Sequence, residues 1–151
     1  MDHYQARDLE LSPSTIAREF TRADLVFYGV DHRGPSFEAL VFLNAPEATP
    51  DTPLDVADGF AGSFVIFGHG GCYGDVGHCE VPSAPRDPFD SRPPHGLTPQ
   101  TKMVEITEAF KHPRCSGETL TVTVLPVVAG ADGAKQADVL FFTGLRLLTY
   151  R

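Results

Sequence analysis

Apolar residues in this chain gather in short runs, and the segments between the runs are rich in proline, glycine and acid. Residues 24–30 (DLVFYGV) predict a first strand, closed by a turn over Asp31, His32, Arg33, Gly34 and Pro35. In residues 36–44 (SFEALVFLN), Phe37, Ala39, Val41 and Leu43 share one face and Glu38, Leu40 and Phe42 the other. A strand apolar on nearly both sides is expected in the middle of a sheet. Residues 61–67 predict a third strand and 102–106 a fourth. One helical turn is expected over 107–111, before Pro113 stops it. Residues 119–128 (TLTVTVLPVV) alternate, with Leu120, Val122 and Val124 inward and Thr119, Thr121 and Thr123 outward, the mark of a half-exposed strand. Residues 139–149 predict a closing strand with a bulge at Gly144. Near the start, Ser12 as cap and Pro13 in the first turn predict a short helix through Phe20.

These elements predict an all-β fold, an antiparallel β-sandwich of about six to eight strands with long Gly/Pro-rich loops. A small barrel is the alternative. Residues 1–23 read as a lead-in and 24–151 as a single sandwich domain. The expected core is Phe37, Val41, Phe64, Ile66, Val104, Ile106, Leu120, Val122 and Val124. Residues 45–58, with three prolines, are expected to form a mobile surface segment. Residues 81–99 carry six prolines and predict no regular structure.

Length and charge narrow the function. At 151 residues, with 42% apolar and 21% charged, the chain can bury a real core. A net charge of −8 without clustered Lys and Arg argues against nucleic acid and against an anionic membrane surface. The N-terminal residues MDHYQARDLEL offer neither a basic nor an apolar leader segment, and no apolar run approaches the ~18 residues of a membrane span. The expectation is a cytoplasmic protein, unless the chain is a piece of a larger secreted one.

The densest chemistry lies from Gly68 to Cys79. There glycines interleave with His69, Cys72, Asp75, His78 and Cys79 directly after an apolar strand. Two thiolates and two imidazoles suit zinc or cuprous copper, although the spacing matches no standard zinc finger. The same residues also fit a Cys72–Cys79 disulfide, buried structural thiols, or a redox or nucleophilic cysteine. Three cysteines are an odd number, so at least one thiol is unpaired within the chain; Cys115 reads as a passive thiol. His95, in a proline-rich segment, could add an imidazole or simply face solvent. His32 reads as a solvated turn residue, and the pairs Asp55/Asp58 and Asp87/Asp90 as solvated loop charge. No phosphate-binding loop follows the glycines, and Gly62-Ser63-Phe64 lacks the second glycine of a nucleophile elbow.

Three patches in order carry a resemblance: Ala61-Gly62-Ser63-Phe64-Val65, residues 102–110 (KMVEITEAF), and residues 118–126 (ETLTVTVLP). Together they resemble the C-terminal domain of type 3 copper proteins, the plant polyphenol oxidases, tyrosinase-like proteins and molluscan haemocyanins. Phe89-Asp90-Ser91-Arg92-Pro93 resembles the haemocyanin segment before the second patch. The resemblance implies a β-sandwich that packs over a helical dicopper domain and shields the entrance to its copper site.

The dicopper domain itself is missing from the pattern. The histidines are His3, His32, His69, His78, His95 and His112, no pair of them falls at helical i, i+4 spacing, and the family's Cys-x-His thioether pattern is absent. The resemblance therefore implies a non-catalytic accessory role (shield, chaperone or assembly) beside a tyrosinase-like copper domain or protein. The loops 68–80 and 87–98 would meet that partner, with Tyr73, Asp75, Phe89 and Arg92 as contacts. The alternative is a stand-alone metalloprotein holding copper or zinc through the glycine-rich loop.

Overall fold

The computed structural model describes residues 4–5, 8–70, 88–89, 97–128 and 139–151. Its strands are β1 (Tyr4–Gln5), β2 (Leu9–Glu10), β3 (Arg22–Val30), β4 (Phe37–Leu43), β5 (Phe60–Ile66), β6 (Gln100–Glu105), β7 (Thr119–Leu120), β8 (Val122–Val128) and β9 (Gly144–Tyr150). Its helices are the short α1 (Pro13–Ile16) and α2 (Thr107–Lys111). One sheet has the order β1-β8-β4-β5, a second β6-β3-β9, and β2 pairs with β7 in a ribbon. All of these pairings are antiparallel. This is the expected all-β sandwich.

The core lies between the two larger sheets. β4 and β8 present Phe37, Ala39, Val41, Leu43, Val122 and Val124 to one apolar cluster, and β3 presents Ala23, Leu25 and Phe27 to the same cluster. Side chains alternate along a strand, so one face of each sheet supplies this layer. The Phe27 ring bridges the sheets, 4.9 Å from Phe64 and 5.3 Å from Phe142. All nine residues expected in the core are buried.

The second face of β4 is covered as well. Leu40 and Phe42 cluster with Ala48 and Leu125, against half-buried Ala45, Phe60 and Val127. Residues 45–58 are mostly exposed, as expected of a surface segment, but Ala45 and Ala48 fold back onto the outer face of the sheet. Thr49 N donates to Thr52 Oγ1 at 2.8 Å, and Asp55 caps the 3₁₀ turn Val56–Asp58 by accepting from Ala57 N at 2.8 Å. Burying Ala48 beside Phe42, together with these bonds, holds the cover down.

Three further details differ from the sequence reading. Thr123 is fully buried, because β1 pairs beyond β8 and places Gln5 opposite it while Phe42 flanks its other side. Its hydroxyl has no hydrogen-bond partner among the described residues. Gly144 opens β9 and makes no bulge. The irregularities fall at Gly29 and Gly62, where the registers of β3 with β6 and of β4 with β5 shift and φ is +64° and +141°.

The short helix stops at Ile16 and does not reach Phe20. Arg18 turns to φ 60° instead, stacks its guanidinium 4.5 Å from the Phe110 ring centroid, and donates to the Phe110 carbonyl at 2.7 Å and to the Cys115 carbonyl. At the same end Asn44, also at positive φ, donates to the Arg114 carbonyl at 3.0 Å and accepts from Thr121 N at 2.8 Å. These bonds satisfy carbonyls and amides that the short turns leave without backbone partners.

Candidate functional site

β3 ends at Val30 and the chain turns through Asp31–Ser36 into β4. Asp31 and Arg33 pair at 2.7 Å on the outside of this turn. The bond from Arg33 holds the Asp31 carboxyl below its ordinary range. The chain leaving β5 packs onto the turn. Gly68 N donates to Ser36 Oγ at 3.0 Å. A Cβ at Gly68 would collide with the Gly34 carbonyl and the Pro35 backbone, and one at Gly70 would sit 3.1 Å from Pro35 Cα. Close approach of two backbones requires glycine at 68 and leaves little room for a side chain at 70.

His32 occupies the centre of this contact, with only 5% of its surface exposed. Its carbonyl accepts from His69 N at 2.9 Å, and His69 Nδ1 lies 3.4 Å from the same oxygen. The two imidazoles meet edge to face with centroids 5.1 Å apart. His32 Nε2 is 3.0 Å from the Thr98 carbonyl, and Nδ1 is 3.4 Å from Gln100 Nε2. A carbonyl only accepts, so Nε2 carries the proton and Nδ1 accepts from the glutamine amide. The expectation of a solvated His32 is corrected. The residue is buried because two segments distant in sequence close over it.

The site thus gathers residues 67–70 and 97–100 on one turn. It also collects apolar surface. Phe67, just before Gly68, is 77% exposed, and Phe141, whose carbonyl accepts from Asp31 N at 2.9 Å, is 55% exposed. Of the residues singled out in the sequence, His69 is at this contact and Phe89 is described and strongly exposed. Cys72, Tyr73, Asp75, His78, Cys79, Asp87, Asp90, Arg92 and His95 lie outside the described residues, as does the Cys72–Cys79 pairing. Among the described residues no group of three or more His, Cys, Asp or Glu side chains is placed to hold a metal ion. Asp55 uses its carboxylate as a helix cap. His32 was considered only as a solvated turn residue, and Phe67 and Phe141 were not singled out from the sequence. The Gly-x-Gly spacing around His69 was the available signal, since it marks a backbone that must approach another closely.

Cys115 is a free thiol, 1% exposed in the core. Burial pushes its pKa up, against the opposing pull of Arg18 and Arg114. A neutral, enclosed thiol is a poor nucleophile. At pH 8 a thiol reagent is expected to leave Cys115 unmodified in the folded protein and to label it on unfolding, with mass analysis of the 115-containing peptide as the readout. Equal labelling in both states would overturn this burial.

No family model matches the chain, and no curated protein sequence matches it. Solved structures do. The fold is similar to that of a recombinantly expressed latent aurone synthase, a polyphenol oxidase, with a TM-score of 0.54 and 15% identity over 98% of this chain and 24% of that one. The same enzyme from its natural source gives a TM-score of 0.54, 13% identity, 99% of this chain and 24% of that one. A form co-crystallised with hexatungstotellurate(VI) gives 0.55, 14%, 99% and 24%. At these identities the likeness is one of fold, and the chain spans about a quarter of the length of those proteins. The resemblance to the sandwich domain of polyphenol oxidases therefore holds for the architecture.

Proposed function

We propose that this sandwich is a non-catalytic accessory domain that packs on a tyrosinase-like dicopper domain or protein, as its shield, chaperone or assembly partner. The observation that carries the reading is the match of nearly the whole chain to a quarter of a polyphenol oxidase chain. The exposed Phe67 and Phe141 beside the Asp31–Ser36 turn supply a surface suited to such contact, because buried aromatic side chains dominate interface energies. Phe89, in the second expected contact loop, is 93% exposed.

Titration calorimetry against the dicopper domain of a polyphenol oxidase from the same organism tests the reading. Binding is expected, and Phe67→Ser combined with Phe89→Ser is expected to weaken it at least about tenfold, or 1.4 kcal/mol. Absence of binding overturns the reading, and binding unaffected by both substitutions moves the interface elsewhere. Of the four ligands that a metalloprotein reading names, the described residues include His69 alone. Element analysis of the purified protein tests that alternative, and stoichiometric zinc or copper would revive it.

A further inference from the structure

We propose that His32 is the positioning residue of the partner-facing end, a single residue that joins the segment leaving β5 to the segment entering β6. The inference rests on the accessory reading above. The first segment is bound through the His32 carbonyl, which accepts from His69 N, and through the imidazole edge against the His69 ring. The second is bound through the imidazole itself, Nε2–H to the Thr98 carbonyl and Nδ1 from Gln100.

Two observations separate this role from general stability. The imidazole of His32 is held by polar and ring contacts, apart from the hydrophobic residues of the two apolar clusters. Among the described residues its hydrogen bonds run to the two segments, and Phe67 immediately precedes the first of them. Removing the imidazole takes this partner from the Thr98 carbonyl and the Gln100 amide at a part-buried contact, which loosens the segments before it loosens the sheets. Glutamine at position 32 can place an amide donor near the position of Nε2, so it is the conservative replacement.

The test uses the full chain with His32→Ala, His32→Leu and His32→Gln, read by amide hydrogen exchange and by affinity for the same dicopper domain. The alanine and leucine variants are expected to raise exchange at His69 N about tenfold or more while β4 amides change less than about twofold. Both are expected to lose affinity, and His32→Gln to recover most of each effect. Uniform acceleration at His69 and β4, unchanged exchange at His69, or failure of glutamine to rescue overturns the proposal. Unchanged affinity beside a localised rise in exchange overturns it too. Should the alanine and leucine variants not fold, Gln100→Ala removes only the Nδ1 partner and is expected to raise His69 exchange by itself, and no rise overturns the proposal. Absence of binding by the unmodified chain counts against the accessory reading, and the exchange result alone then decides whether His32 joins the segments.

Discussion

Replacing Phe27 with alanine is expected to lower the unfolding free energy by about 3–5 kcal/mol. The side chain is fully buried in β3, the middle strand of its sheet, held by β6 on one side and β9 on the other. Its ring touches Phe64 from the opposite sheet and Phe142 from the segment before β9. Deleting it removes contacts on both sides of the core, and strands paired on both edges have little freedom to close the cavity. Against a typical domain stability of about 5–15 kcal/mol, the loss is a large share. Urea unfolding followed by far-UV circular dichroism measures it. A loss below about 1 kcal/mol would mean that Phe27 does not bridge the sheets. Phe67→Ala, at an exposed position, is the control and is expected to change stability by less than about 0.5 kcal/mol.

The strands were legible because their physics is local. Alternation in 36–44 placed Phe37, Ala39, Val41 and Leu43 on one face, and an apolar second face in Leu40 and Phe42 announced a strand with cover on both sides. What lies on that second face was not legible, since it depends on Ala45 and Ala48 folding back, and proline-rich acidic segments look alike whether packed or solvated. Thr123 shows the same limit. Its position in the alternation was read correctly, but the outward face of β8 is buried by neighbours that strand period does not reveal.

The site was half legible. The glycine spacing around His69 drew attention to the right stretch, but for its histidine and cysteines and not for its backbone. The structure shows why glycine is needed at 68 and why space is tight at 70: the chain lies directly on Gly34 and Pro35. Nothing local marks His32 as buried, because charged Asp31 and Arg33 flank it and both segments that enclose it are distant in sequence. The exposed ends of the strands, Phe67 and Phe141, read as ordinary strand residues until the sheet order places both at one turn.

Gly62→Ala is expected to destabilise the protein by about 1–3 kcal/mol. The residue lies in the Ala61-Gly62-Ser63-Phe64 patch that carried the family resemblance, and the structure gives it a physical requirement. Val41 pairs with Gly62 while Phe42 pairs with Phe60, so β5 holds one extra residue, a bulge that bends the strand. Gly62 has φ +141°, a region that side chains with a Cβ avoid. The bend brings β5 against β6 of the other sheet, where an added Cβ would stand 2.7 Å from Val104 Cγ1. Val104 is buried and β-branched, paired with Leu25, and has few rotamers with which to retreat. Both the backbone strain and the collision oppose the substitution. Gly144→Ala is the matched comparison: its Cβ would come no closer than 3.9 Å to Tyr28, and its φ is not positive. That change is expected to stay within about 0.5 kcal/mol of the unmodified protein. Thermal and urea unfolding of the two variants side by side decide the point. Equal effects at 62 and 144 would remove the bulge from Gly62 and return the question of where β5 bends.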